Sequence, residues 1–202
     1  MDVAAQHQKP EEKEEPNFWG SVVYNAFQQI NDPFTLRQLF FINTFSIIGF
    51  FATAALGILN LLEKNYQVGI PDLLAGFVLL LNLLLFRMTK NISLAKTIML
   101  TTLGALLITL LATGGTAQTG IYWVYTFPIV AFFLLGKEKG ILASLVLYCA
   151  ISLVACLGAF GYVSIAYSLI EIRQLFICLF IVCVLVYLYQ KSIEDSAEQL
   201  AQ

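Results

Sequence analysis

An all-α, polytopic membrane protein is the fold class this sequence predicts, on three observations. Of its 202 residues, 59% are hydrophobic and only 12% charged, against about 25% charged in ordinary globular chains. The mean hydropathy is +0.80. The apolar residues gather into runs near the length a helix needs to cross roughly 30 Å of hydrocarbon, and the alternating pattern of a barrel strand is missing.

Residues 1–16 form an acidic, Pro-flanked tail with Glu11, Glu12, Glu14 and Glu15, and are expected to be disordered. The tail lacks the basic and apolar regions of a secretory signal, which leaves the first span as an uncleaved insertion signal. Over residues 17–31, Phe18, Trp19, Val22, Val23, Ala26, Phe27 and Ile30 recur at helical spacing opposite Ser21, Asn25, Gln28 and Gln29. That pattern predicts an amphipathic helix lying in the membrane interface. Asn31-Asp32-Pro33 closes it, with Asp32 placed to cap the next helix and Pro33 at its first position.

Six spans are predicted within residues 32–189: Phe40 to Leu62, Asp72 to Met88, Ala95 to Ala112, Ile121 to Leu135, Gly140 to Phe160 and Leu175 to Tyr189. The fourth is short. A helix over 121–135 rises about 22 Å, less than the hydrocarbon thickness, so it needs local thinning or a partly re-entrant path, and a five-span reading stays open.

Nine basic residues fall on one side of this layout: Lys9, Lys13, Arg37, Arg87, Lys90, Lys96, Lys137, Lys139 and Lys191. Lys64 and Arg173 fall on the other. The positive-inside rule therefore puts both termini in the cytoplasm, which requires an even number of spans. The formal net charge of −2 is spread over separate surfaces, and nothing in the chain suggests a nucleic-acid partner.

Within the spans, Gly49, Thr53 and Gly57 form a small-residue stripe in the first, suited to close helix packing either within the bundle or with another subunit. Asp72, after Gly69-Ile70-Pro71, reads as the N-cap of the second. Asn43, Asn60 and Asn82 are candidates for interhelical hydrogen bonds. Cys149, Cys156, Cys178 and Cys183 lie in apolar runs without CxxC spacing and read as small buried hydrophobes. His7 is the single histidine and sits in the tail, so no metal or haem site, and no cofactor, is expected in the spans.

The most distinctive stretch runs from Thr113-Gly114-Gly115 through Gly120-Ile121-Tyr122-Trp123 and Phe127-Pro128 to Phe133-Leu134-Leu135-Gly136. It resembles the six-helix N-terminal sensor region of many bacterial diguanylate cyclases and sensor histidine kinases, over about Phe40 to Gln202. The resemblance implies a multi-pass bundle in the bacterial inner membrane, joined by a cytoplasmic helix to a catalytic domain. No GGDEF, phosphoacceptor-histidine or nucleotide-binding motif occurs here, so no catalytic residue is assigned.

Physically, this stretch combines exposed backbone N–H groups, the Gln118 amide, three aromatic residues at the boundary (Tyr122, Trp123, Tyr125) and Pro128, which removes a helix hydrogen bond. These residues form a candidate pocket for a small or membrane-soluble ligand; an aromatic belt is the competing reading. Glu171 and Arg173, opening the sixth span on different helix faces, are secondary candidates, with interface anchoring as their alternative.

The sixth span continues without Gly or Pro into Gln190-Lys191-Ser192-Ile193-Glu194-Asp195-Ser196. Val186, Ile193 and Leu200 lie seven apart with Tyr189 between, the start of a coiled-coil seam over 190–202 that favours a homodimer. The whole reads as the membrane half of a receptor that shifts helix six to move an output domain beyond this chain. A small transporter or channel, or a passive dimerising anchor, are the alternatives.

Overall fold

The structure, a computed structural model, describes residues 33–163 and 165–200. The expected acidic tail and interfacial helix lie outside them. The described elements are α1 (Pro33–Leu62), α2 (Tyr66–Thr89), α3 (Ile92–Thr113), one 3-10 turn (Thr116–Gln118), the four-residue α4 (Gly120–Trp123), α5 (Thr126–Ala159) and α6 (Leu169–Leu200). No strand occurs among the described residues.

Among the described residues, five helical runs are long and apolar enough to cross a membrane: Thr35–Leu62, Tyr66–Thr89, Ile92–Thr113, Gly120–Ala159 and Leu169–Ile193. The fourth contains 40 residues, which as a straight helix would reach about 60 Å, twice the hydrocarbon thickness. It is not straight. At Gly136 the backbone takes φ 78°, ψ −178°, a conformation essentially reserved for glycine. A Cβ added to Gly140 would lie 2.9 Å from Phe132 Cα, although eight residues along a straight helix are separated by about 12 Å. The two halves of α5 therefore fold back on each other at Gly136. The sequence-expected fourth span, Ile121 to Leu135, falls on α4 and the first half of α5, and the fifth, Gly140 to Phe160, falls mainly on the second half.

α1 and α2 pack antiparallel through the small-residue stripe. A Cβ on Gly49 would meet Leu79 at 2.8 Å, a Cβ on Gly57 would meet Leu73 at 2.8 Å, and a Cβ on Gly76 would meet Thr53 Oγ1 at 2.6 Å. The closest backbone approach is at Gly57 and Gly69, where a Cβ on Gly69 would sit 2.9 Å from Gly57 O. This contact explains a correction at the start of α2. The helix begins at Tyr66, runs through Gly69-Ile70-Pro71, and encloses Asp72 as a buried interior residue; Asp72 is not the N-cap.

A second tie binds the end of the bundle where α1 starts. Gln38 Nε2 donates to Leu134 O at 2.8 Å, and Lys96 Nζ donates to Gln38 Oε1. Phe41 stacks on Phe133 with centroids 5.3 Å apart, the Arg37 guanidinium lies 5.6 Å from the Phe133 ring centre, and Tyr189 approaches that ring at 6.5 Å. One hydrogen-bonded glutamine and one phenylalanine thus join α1, α3, the α5 turn and α6.

The apolar core gathers Leu107 and Leu111 of α3, Ile121 and Val124 of the short segment, Leu147 and Ile151 of α5, and Leu175 and Leu179 of α6. Asn82 donates to Ala95 O at 3.1 Å, joining α2 to α3. The cysteines depart from the buried reading: Cys149 and Cys156 face outward on α5, and Cys178 and Cys183 are half-buried; all four are free thiols. Apolar outer faces explain this, because in a bilayer the exterior solvates a small thiol as readily as the core does. In α6, Val186 and Ile193 are half-buried, Tyr189 is largely exposed and Gln190 is buried. The Leu200 side chain lies outside the described residues.

Candidate functional site

α3 ends where Gly114 takes φ 86° and returns its N–H to Leu110 O. Gly115, Ala117 and Gln118 follow with φ of 67°, 52° and 61°. Two of these are non-glycine residues in the left-handed region, a costly conformation that persists only where surrounding contacts impose it. The chain then passes directly over the end of α3: a Cβ on Gly120 would lie 2.6 Å from Leu110 O. Only glycine fits this crossing.

Tyr167, from the connection between α5 and α6, holds the loop. Its Oη accepts from Ile121 N at 2.9 Å and presents its proton to Gly114 O at 2.8 Å and Gln118 O at 3.1 Å. Ile121 is in the first turn of α4, where N–H groups have no intrahelical acceptor, and Thr119 supplies no side-chain cap. The Tyr167 phenol takes that role from 46 residues away. Burial pushes its pKa above the ordinary tyrosine value, and the charges of Glu171 and Tyr122 push the same way. The proton that bridges the loop carbonyls is therefore retained at neutral pH.

Beside this staple lies a cleft of about 380 Å³ whose wall includes Gln118, Tyr122, Tyr125, Tyr167, Glu171 and Gln174. Glu171 is fixed by a reciprocal capping box: its carboxylate accepts from Ser168 N at 2.7 Å and Ser168 Oγ at 2.8 Å, while Ser168 Oγ accepts from Glu171 N at 3.3 Å. The cleft thus offers two amides, three phenols and a positioned carboxylate, a set suited to a small polar ligand.

Four of the residues singled out from sequence meet in this cleft: Gln118, Tyr122, Tyr125 and Glu171. Trp123 does not join them; it lines a separate cavity between α1, α2 and α3. Arg173 is exposed and outside the cleft wall. Pro128 is buried in the first turn of α5, where a backbone N–H would have no intrahelical partner in any case, so it starts a helix and breaks none. The interruption lies at Val124 and Tyr125, between α4 and α5. Tyr167 and Gln174 carry no sequence signal for a site. The Ser168-x-x-Glu171 spacing does announce a capping box, which fixes where α6 starts.

The family model for MASE6 matches residues 33–200. The chain belongs to the MASE6 family. The match covers every described helix, and the family is one of membrane-associated sensor domains. This MASE6 chain is accordingly a multi-pass, all-helical membrane protein with a sensor-type domain. No curated protein and no solved structure matches it.

Proposed function

We propose that this MASE6 domain is the input and transmission half of a bacterial inner-membrane receptor, with a small ligand bound between Gln118, Tyr122, Tyr125 and Glu171. The observation carrying this reading is that one residue group joins the cleft to the outgoing helix. Tyr167 pins loop 114–121, and Ser168 and Glu171, directly after it, start α6. A ligand that engages Glu171 and Gln118 together changes the relation of that loop to the first turn of α6, and α6 runs unbroken to Leu200. Transmission needs a differential affinity for two helix arrangements.

The fold-back at Gly136 supports six crossings. Arg37, Arg87, Lys90, Lys96, Lys137, Lys139 and Lys191 then share one side, which supports cytoplasmic termini. A homodimer seam through Val186, Tyr189, Ile193 and Leu200 and a diguanylate cyclase or histidine kinase output complete the reading; the heptad spacing and the resemblance of the Gly114 to Gly136 segment support them.

The test is disulfide crosslinking in native membranes of the protein from its natural gene, with the native cysteines changed to alanine and single cysteines at positions 192–196. Glu171→Gln and Tyr122→Ala should change which positions crosslink. Identical patterns in all three proteins would leave a passive anchor.

A further inference from the structure

Asp72 is only 3% exposed, in the second turn of α2. Its Oδ2 accepts from Asn60 Nδ2 at 3.2 Å, and Asn60 Oδ1 accepts from Thr116 Oγ1 at 2.8 Å. Asn60 is itself 1% exposed. Among the described residues Asp72 has no other hydrogen bond and no cationic partner. Each donor in this row points toward the carboxylate, so what remains open at Asp72 is an acceptor position. A carboxylate removed from water without a positive partner is costly, by several kcal/mol.

Asp72 lines a cavity of about 390 Å³, walled mainly by apolar side chains that include Leu79, Leu103, Leu106, Leu107 and Trp123. That volume is in the range of roughly 300–1,000 Å³ typical of small-molecule sites. The hydroxyls in the wall donate elsewhere: Thr53 to Gly49 O at 2.8 Å, Thr102 to Ile98 O at 2.7 Å and Thr126 to Trp123 O at 2.7 Å. Asp72 is thus the charged acceptor in the wall of an otherwise mainly apolar space.

We propose that this cavity binds a lipophilic primary amine, with its alkyl body among the leucines and its ammonium on Asp72. A neutral donor such as an alcohol would fill the acceptor position and leave the charge unpaired; an ammonium does both. The ammonium can be that of a free amphiphile or of an ethanolamine lipid headgroup. The site is distinct from the Tyr122–Glu171 cleft, and the assignment holds whatever that cleft takes.

Trp123 in the wall is the reporter. With Trp19→Phe, it becomes the sole tryptophan of the chain. The full chain is titrated in nonionic-detergent micelles with dodecylamine, dodecanol and dodecyltrimethylammonium, the last having charge without an N–H donor. Dodecylamine should change Trp123 emission saturably, and the other two should bind at least tenfold more weakly, as expected for loss of a charge-assisted hydrogen bond. Asp72→Asn should weaken dodecylamine at least tenfold, and Ala52→Phe, which fills the cavity and keeps the carboxylate, should also weaken it. In nanodiscs, competition by ethanolamine lipid identifies the lipid as the source, and its absence identifies a free amine. No saturable change with dodecylamine, equal binding of dodecanol, or undiminished binding by helical Asp72→Asn overturns the assignment. The headgroup series is run on intact Asp72, so it decides the matter even if Asp72→Asn does not fold.

Discussion

Replacing Tyr167 by phenylalanine removes one oxygen and keeps the ring. In the folded chain that oxygen accepts from Ile121 N and donates to Gly114 O and Gln118 O. Gly114 O keeps a second donor, Gly120 N at 3.0 Å, so its loss is small. Among the described residues Ile121 N has no second acceptor: it is in the first turn of α4, on a residue only 9% exposed. A buried N–H left unpaired costs about 1–3 kcal/mol, and the weakened Gln118 carbonyl adds to it, so the loop should lose about 2–3 kcal/mol. At 1.4 kcal/mol per decade, that is a fall of roughly thirty- to 150-fold in hydrogen-exchange protection at Ile121. The assay is amide exchange of the purified chain in nanodiscs, with peptides covering 114–124 compared with peptides from α2. Protection at Ile121 that stays within threefold of wild type, or that falls equally in α2, would refute the idea that the phenol caps α4 locally.

Other substitutions probe other joints. Gly136→Ala places a Cβ on a backbone at φ 78° and should lower stability by about 1–3 kcal/mol in reversible denaturation, an unchanged midpoint meaning that the turn relaxes elsewhere. Gln190 is buried with neither side-chain amide atom hydrogen-bonded; Gln190→Leu should stabilise the chain by about 1–3 kcal/mol, and destabilisation would reveal a partner for the amide. The raised pKa of Tyr167 makes its contribution full below the ordinary tyrosine value and lost as pH rises through the folded value. The stability gap between wild type and Tyr167→Phe should therefore be constant to about pH 10 and close above it. A gap that narrows already near pH 8, or widens in alkali, contradicts that sign.

The long apolar runs made the helices legible, since length and composition alone mark segments able to satisfy their backbone in lipid. Their ends were less so. Gly69-Ile70-Pro71 reads as punctuation along the chain, yet contact between Gly57 and Gly69 carries the helix through it, and this is why a carboxylate expected at the boundary lies buried. The glycine-rich loop was legible as unusual because Gly114, Gly115 and Gly120 are spaced for a reversal. Gln118, Tyr122 and Tyr125 come to the cleft with it, and Glu171 is brought there by the start of α6. Tyr167 was not legible: a lone tyrosine in a connection has no periodicity, and its partners lie 46 to 53 residues earlier. Trp123, although next to Tyr122, faces the other cavity because adjacent residues on a helix point about 100° apart.

The turn at Gly136 also bears on biosynthesis. With only the charged Lys137-Glu138-Lys139 between Gly136 and Gly140, there is little chain to let one half settle in the bilayer before the other emerges. On the six-crossing reading, the two halves partition into lipid as a preformed hairpin, paired where Phe132 meets Gly140. A ribosome-arrested chain ending shortly after Gly136 would then be held at the translocon, and release into lipid would come only when the second half had been made.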